Sequence, residues 1–525
     1  MSSKQSSPVQ SSAGTTAWAD GQTSPVGSKQ HSYDWRRQWY PVAIVRDLEA
    51  VDPRKPTRIE LLGEAYAIWK DVDGEWVAFV DRCPHRAAPL SEGRVDQDSG
   101  RLMCIYHGWE FNGDGTCENV PQAEENLLSN VVSSKRACAL QVPTTVAQGK
   151  LWAWPDGTPH GVEASRCKLP TTLPDMDDPE FNGNWYMRDI PYGWDTLVEN
   201  LGDPAHIPFA HHGVIGRRSM GNPLDISMKE GEEGGGGKYT TEGFGYVPGT
   251  RDMTLGFRAE GLMVYYCSDY THSAARLARL LPFPWGALAK VYMKLDRKMS
   301  MKAEDRGPCD RLKNYFVGYV TPTAPGKSRI FTRTARNFFF NKPIFPSFLR
   351  LQNPIVRAHL AQHLVLDGDT PALHFQEREL YAKGETTVQG GNPDRSFYMP
   401  TVSDVPVRAF RRWLKDEAGG GPVWPMGKDA PLGPVLPREV MLDRLHSHTL
   451  QCSECSKAYH GAGKAKKGFG IGSFLCLAAA AAAPRGTWAT GLVGGAIVNA
   501  AMALYMVRRE QEFVFVDYVH ASRDG

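Results

Sequence analysis

The sequence has no apolar N-terminal signal, no block of lysine or arginine, and no apolar run before residue 470 long enough to cross a bilayer. The first absence gives no sign of secretion. The second, with a formal net charge of only +2 over 525 residues, excludes bulk electrostatic attraction to nucleic acid. The third leads us to expect a water-soluble body. Cysteine is sparse: ten residues in this length do not make the disulfide framework of a small secreted domain, so spacing matters more than number. Cys117, Cys138, Cys167, Cys267, Cys309 and Cys476 are scattered and read as small buried hydrophobes. No nicotinamide or flavin fingerprint is present, and Gly231–Gly237, with no Lys-Ser/Thr after it, reads as a surface loop rather than a phosphate cradle. What is present is a folded composition, 42% hydrophobic and 22% charged, with length for two to four domains.

Residues 1–32 are rich in Ser, Thr, Gln and Gly with one acid, Asp20, and are expected to be a disordered leader; a Ser-rich, acid-poor stretch also fits part of a transit peptide, although such peptides are Arg-rich and the first arginine here is Arg36. From 33 to 157 short β-like runs separated by Asp-Gly turns predict a small all-β domain. Two of its loops read Cys83-Pro84-His85-Arg86 and Cys104-Ile105-Tyr106-His107-Gly108-Trp109. Each offers one thiolate and one imidazole, the ligand set of a 2Fe–2S centre in which two histidines replace two cysteines on one iron. A Cys2His2 zinc site is the structural alternative, though zinc-finger histidines come as a separate pair.

A Pro/Gly linker leads into a second domain, 165–430, whose chemistry centres on Glu199–His212. Here Asp203 and His206 lie three apart and would share a helix face. His206 and His211 lie five apart, so both rings reach one ion only if the helix breaks, and Pro208 is placed to break it. Two imidazoles and a carboxylate with open positions make the facial triad of non-haem Fe(II) oxygenases. The carboxylate is sought in a helix from about Ala358 to Leu380, interrupted near Pro371, where Asp367 and Asp369 are candidates; either could instead cap a helix before Thr370-Pro371.

Residues 431–467 form a linker with Cys452-x-x-Cys455, flanked by His446, His448 and His460. This motif fits zinc, or a redox dithiol with Lys457 stabilising a thiolate. Residues 468–525 are read as a membrane hairpin and tail: Gly470–Ala483 and Gly486–Met506 are apolar, with lysines before and arginines after. Gly491 and Gly495 would let the two helices meet closely.

The Cys/His loops followed by Asn200-x-x-Asp203-x-x-His206-x(4)-His211 resemble the α-subunits of Rieske-type non-haem iron oxygenases. A narrower resemblance, carried by Asp81–Arg86, Leu90–Gly93, Trp194-Asp195-Thr196, Glu199-Asn200, Asp203–His206, the Cys452/Cys455 motif and the C-terminal hairpin, is to the pheophorbide a oxygenase family. It implies an α+β fold: an N-terminal all-β Rieske domain, a helix-grip (START-like) catalytic domain and a C-terminal transmembrane hairpin. It implies that Cys83, His85, Cys104 and His107 hold the 2Fe–2S cluster, and that His206, His211 and Asp369 bind mononuclear Fe(II), with Asp367 in reserve and His212 outside the ligand set. Asn200 belongs to the catalytic site, and Asp203 would bridge His206 to His107 of a neighbouring subunit in a homotrimer. It further implies reduced ferredoxin as donor, docked on a basic rim of Arg82, Arg86, Arg94 and Arg101, and O2 as co-substrate. Cys452 and Cys455 become a redox switch addressed by thioredoxin. The expected reaction is oxygenation of a chlorophyll-derived tetrapyrrole, with pheophorbide a and opening of its macrocycle leading, at a chloroplast membrane (inner envelope or thylakoid) with the body in the stroma. Hydroxylation of a tetrapyrrole or phyllobilin, ring-methyl oxidation, and a redox-sensing role in the chloroplast import translocon are the alternatives.

Overall fold

The computed structural model describes residues 33–224, 226–228, 243–248, 253–270, 301, 302, 305, 307, 311–338, 353–427 and 430–521. The expected leader, the Gly231–Gly237 loop and Cys309 lie outside these residues.

Alternation and tight turns build the N-terminal lobe. Glu64–Lys70 and Trp76–Val80 pair antiparallel across the Asp73-Gly74 turn, where Gly74 takes a φ of +80° that a side chain would resist. With Thr57–Leu61 and Gln141–Val142 they make a four-stranded sheet. A second four-stranded sheet is made of Arg94–Val95, Leu102–Met103, Glu110–Phe111 and Cys117–Asn119; the Cys104 loop joins two of its strands, and the Cys83 loop leads into it from the first sheet. Trp69, Val77, Phe79, Leu102 and Phe111 form the core between the two. A three-stranded sheet orders Tyr40–Ile44, Lys150–Ala153 and Thr144–Ala147.

The second lobe is a seven-stranded antiparallel sheet in the order Tyr186–Ile190, Lys327–Arg336, Lys313–Ala324, Met263–Asp269, Met253–Arg258, Gly243–Pro248, Ile226–Met228. The helix Trp194–Leu201 packs on its two longest strands, and the helix Pro354–Ala382 lies against Tyr186–Ile190 and Trp194–Leu201. The protein is thus α+β. Backbone bonds from Leu62 and Gly63 to Pro322 and Thr323, at 2.8 and 2.7 Å, join the lobes. Tyr40, Val42, Ile59 and Leu61 share one apolar cluster with Tyr186, Ile190, Val320 and Ile330, so the two lobes are cemented rather than hinged.

The structure corrects the sequence reading of the long helix. It runs unbroken from Pro354, capped by Asn353, to Ala382, and Pro371 sits inside it. Its missing N–H costs one bond to the Asp367 carbonyl, which packing on both sides absorbs. Asp367 and Asp369 are therefore mid-helix residues, not caps.

The C-terminal part is an antiparallel pair of helices, Ser453–Ala482 and Thr487–Gln511. Here the expected transmembrane hairpin is corrected to one candidate span: among the described residues only Thr487–Gln511 is long and apolar enough to cross a membrane. The apolar stretch Gly470–Ala483 ends a helix whose earlier turns carry Lys464, Lys466 and Lys467. Gly495 faces Cys476 of the other helix, with a built Cβ 3.5 Å from its sulfur, whereas Gly491 faces open space, so the two glycines do not form one contact. Cys167, expected inside, is exposed.

Candidate functional site

The two cluster loops are copies of one turn. In each, the cysteine N–H donates to the carbonyl five residues on, Ala88 or Trp109, and its own carbonyl accepts from the N–H four residues on, Ala87 or Gly108. Both fourth residues have positive φ, +58° at Ala87 and +72° at Gly108. The turns sink Cys83 and Cys104 into the core of the lobe and leave the imidazoles at its tip. The rings of His85 and His107 are 4.6 Å apart, and His85 stacks on Trp109 at 4.7 Å. The thiols hydrogen-bond each other, which lowers the pKa of Cys104 and raises that of Cys83. Buried sulfur on one side and exposed imidazole on the other suits a cluster whose histidine-bound iron faces a redox partner.

The mononuclear site lies where helix Trp194–Leu201 ends. Asp203 is in the turn that follows, its Oδ1 accepting the Ala205 N–H at 2.7 Å, and not on a helix face shared with His206. His206 then caps one end of the single turn Ile207–Ala210 and His211 the other. Pro208 starts this turn, where its missing N–H costs nothing, instead of breaking a longer helix. The result still brings the rings together: Nε2 of His206 and Nε2 of His211 are 3.2 Å apart. Asp369 Oδ2 lies 3.3 Å from His211 Nε2 and 3.9 Å from His206 Nε2. One atom from each of the three lies within 4.8 Å of the others, an arrangement that two uncharged rings and a carboxylate adopt around a shared cation. Among the described residues the Nδ1 atoms of both rings have no hydrogen-bond partner; Asp203 Oδ2 is 3.7 Å from His206 Nδ1, an ion-pair separation.

Asp367 faces elsewhere. Arg188 holds its Oδ1 at 2.7 Å, and Arg444 holds its Oδ2 at 2.6 and 2.9 Å, all three side chains buried. His212 turns Nδ1 to the Arg218 N–H at 3.3 Å. Asn200 lines a cavity of about 480 Å³ that opens over His206 and Asp369 and is walled by Leu373, Phe397, Tyr398, Met399 and Val407. Arg411, doubly bonded to Glu199 at 2.7 Å, braces one side. His520 in the C-terminal tail also lines this cavity, and Tyr518 donates to the Ala210 carbonyl at 3.3 Å. A larger cleft of about 800 Å³ near Trp39, Trp76 and Arg166 touches none of these ligand sets. Beneath the site, Glu377 accepts from Gly193 N–H at 2.9 Å and from Arg378 at 2.7 Å. Burial and then the neighbouring Asp195 push its pKa up to about 8, against the pull of Arg378.

On the rim, Arg82, Arg86 and Arg94 are exposed, while Arg101 is engaged by Asn112, Glu110 and Glu118. Cys452 and Cys455 are buried beside His448 and His359. His446 and His460 point outward, and Lys457 pairs with Glu454 at 3.3 Å rather than with a thiol. Sequence reasoning missed His359, Arg188, Arg411, Arg444 and His520. Each reaches its partner through tertiary packing and carries no local motif.

Two family descriptions match the chain: Rieske [2Fe-2S] domain over residues 38–142 and Pheophorbide a oxygenase over residues 291–387. Over 516 residues it is 36% identical to "Pheophorbide a oxygenase, chloroplastic" of Oryza sativa subsp. japonica, covering 96% of this chain and 89% of the relative. Over 467 residues it is 33% identical to "Flavonoid 8-hydroxylase 2, chloroplastic" of Ocimum basilicum, covering 87% and 80%. In fold it is similar to the solved structure of Pseudomonas putida CBB5 NdmA with caffeine, with a TM-score of 0.50 at 18% identity over 76% of this chain and 95% of that one.

Proposed function

This chain belongs to the pheophorbide a oxygenase family of Rieske-type non-haem iron oxygenases, and from that premise we propose that it is a ferredoxin-dependent monooxygenase opening the macrocycle of pheophorbide a. The observation that carries the reading is the convergence of His206, His211 and Asp369 under a cavity, in a chain whose likeness to that enzyme runs over 96% of its length. As a Rieske-type oxygenase it takes a 2Fe–2S cluster and a mononuclear iron. When bound, these supply single electrons and a centre where O2 is activated.

In this reading Cys83 and Cys104 ligate one cluster iron, and His85 and His107 the other. His206, His211 and Asp369 ligate the mononuclear ion. Asp203 orients His206 and meets His107 of the next subunit in a homotrimer, which shortens the electron path. Arg82 and Arg86, exposed beside the cluster loops, attract an acidic ferredoxin. The aromatic and aliphatic wall formed by Phe397, Tyr398, Met399 and Leu373 suits a flat apolar ring system, and Asn200 offers it a polar contact. The seven-stranded sheet and long helix are the helix-grip catalytic domain, 165–430, after a Rieske domain over 33–157. The helix Thr487–Gln511 anchors the protein to a chloroplast membrane with the body in the stroma.

The test is incubation with reduced ferredoxin and 18O2 against pheophorbide a, chlorophyllide a, phyllobilins and flavones, followed by mass spectrometry. Labelled, ring-opened pheophorbide a supports the reading; its return unchanged while another compound gains label overturns it. The 33% identity to a flavonoid 8-hydroxylase makes flavone hydroxylation the second reading. Substrate-dependent O2 uptake equal to that of His206→Ala would instead assign a non-catalytic, redox-sensing role of the translocon type.

A further inference from the structure

A second set of metal-type ligands lies apart from both iron sites. His359 on the long helix, His448, and Cys452 and Cys455 at the start of the next helix bring one ligand atom each within 4.8 Å of one another, and all four residues are buried. Cys455 Sγ is 3.4 Å from His448 Nε2 and 3.5 Å from His359 Nδ1, and Cys452 Sγ is 3.6 Å from His359 Nδ1. A tetrahedral ion with zinc–sulfur bonds of about 2.3 Å and zinc–nitrogen bonds of about 2.0–2.1 Å sets sulfur and nitrogen about 3.5 Å apart. The three separations match the edges of that tetrahedron.

The surroundings prepare the ligands. His448 lies in a π-helical turn, Leu445–Thr449, a rare geometry that is frequent at functional sites. Its Nδ1 faces the Met187 carbonyl at 2.5 Å. A carbonyl only accepts, so Nδ1 carries the proton and Nε2 turns its lone pair to the sulfurs, the arrangement that metal-bound histidines show. The Tyr186 ring stacks on His448 at 4.5 Å, and Tyr186 bonds His363 at 2.9 Å, which fixes the imidazole plane. His359 is 2% exposed, and among the described residues its Nε2 has no hydrogen-bond partner, whereas its Nδ1 lies within reach of both sulfurs. Reactive dithiols, by contrast, are partly exposed. Cys455 is 0% and Cys452 2% exposed, and two imidazoles occupy the space an attacking thiol would need.

We propose that His359, His448, Cys452 and Cys455 bind one zinc ion in a closed Cys2His2 site that is structural, not redox-active. Thiolate and imidazole in tetrahedral array favour zinc among the common divalent ions. The ion ties the long helix to the root of the C-terminal helical pair. His359 lies ten residues before Asp369, about 15 Å along the same helix axis, so the clamp also fixes the helix that presents the iron carboxylate.

The experiment uses the full chain purified without chelators. Elemental analysis is expected to give about one zinc per chain in addition to iron, and zinc-edge X-ray absorption two sulfur and two nitrogen neighbours. The double variant Cys83→Ala/Cys104→Ala keeps this zinc while losing the cluster absorption, which separates the two Cys2His2 sets. His359→Ala and Cys452→Ser each lose it. Should those variants fail to fold, wild-type protein grown in cobalt decides: tetrahedral, thiolate-ligated cobalt bands support the site, and their absence overturns it. Wild-type protein free of zinc, or a Cys452–Cys455 disulfide that thioredoxin reduces, also overturns the proposal and makes the pair a dithiol switch.

Discussion

Replacing Asp367 by asparagine removes the carboxylate that faces two buried guanidinium groups. Arg188 contributes one charge-assisted bond at 2.7 Å and Arg444 two, at 2.6 and 2.9 Å. Three such bonds at about 1.5–3 kcal/mol each set an upper bound of about 5–9 kcal/mol. An asparagine keeps one acceptor oxygen but turns an NH2 toward the other arginine, so two buried cations are left without a counter-charge. Removing one partner of a buried pair costs about 3–5 kcal/mol. The remaining contacts, Arg188 to Ser447 and the Asp443 carbonyl and Arg444 to the Glu512 carbonyl, are to neutral groups and do not restore it. A loss of about 4 kcal/mol is large against a stability of about 5–15 kcal/mol, and lowers the thermal midpoint on the order of 10 °C. Scanning calorimetry and guanidinium melts of iron-loaded Asp367→Asn measure it. A loss under about 1 kcal/mol would refute the assignment of Asp367 as the charge that closes this buried network.

His206→Ala and Asp369→Ala are expected to lose the mononuclear iron and substrate-dependent O2 uptake while the visible and EPR spectra of the cluster stay unchanged. Loss of both centres together would count against separate ligand sets. Glu377 has a folded pKa of about 8, above its ordinary 4.5, so between these values the folded chain binds more protons than the unfolded. Its contribution therefore falls as pH rises from about 4.5 to 8, by at most about 1.4 kcal/mol per unit. Denaturant midpoints of Glu377→Gln across this range are expected to vary less with pH than wild type, and parallel curves would contradict the shift. Ala87→Gly relieves a non-glycine residue at φ +58° and is expected to add about 0.5–1 kcal/mol. Gly108→Ala does the reverse and also drives its Cβ to 3.1 Å from Pro121; urea melts compare the two.

The parts legible in the sequence were those whose ligands are close along the chain. Cys83 with His85, and Cys104 with His107, declare a centre because each loop carries a thiolate and an imidazole two or three residues apart. His206 and His211 are equally local, but the path between them was not: whether a proline breaks or begins a helix depends on where the preceding helix stops. Asp367 and Asp369 were separable in principle. Two residues along a helix turn about 200°, so once the helix runs through Pro371 the two carboxylates must face opposite ways. Nothing local marks His359, which meets Cys452 across 93 residues of sequence, or Arg411, which meets Glu199 across 212. The apolar stretch before Ala483 was misleading because hydropathy ignores the charged turns that continue the same helix.

The C-terminal helical pair leaves the body and comes back to it. Tyr459 and Phe513, near its two roots, have ring centroids 6.5 Å apart, Lys466 pairs with Glu510, and in the tail beyond Tyr518 holds the Ala210 carbonyl while His520 lines the iron cavity. Shortening the protein from its end to improve its behaviour in water would thus strip a wall from the active site along with the apolar helix. Looping out the pair above Lys466 and Glu510, and joining the cut ends by a few polar residues, would keep that wall. Such an excision would separate the chemistry of the cavity from whatever the apolar helix contributes.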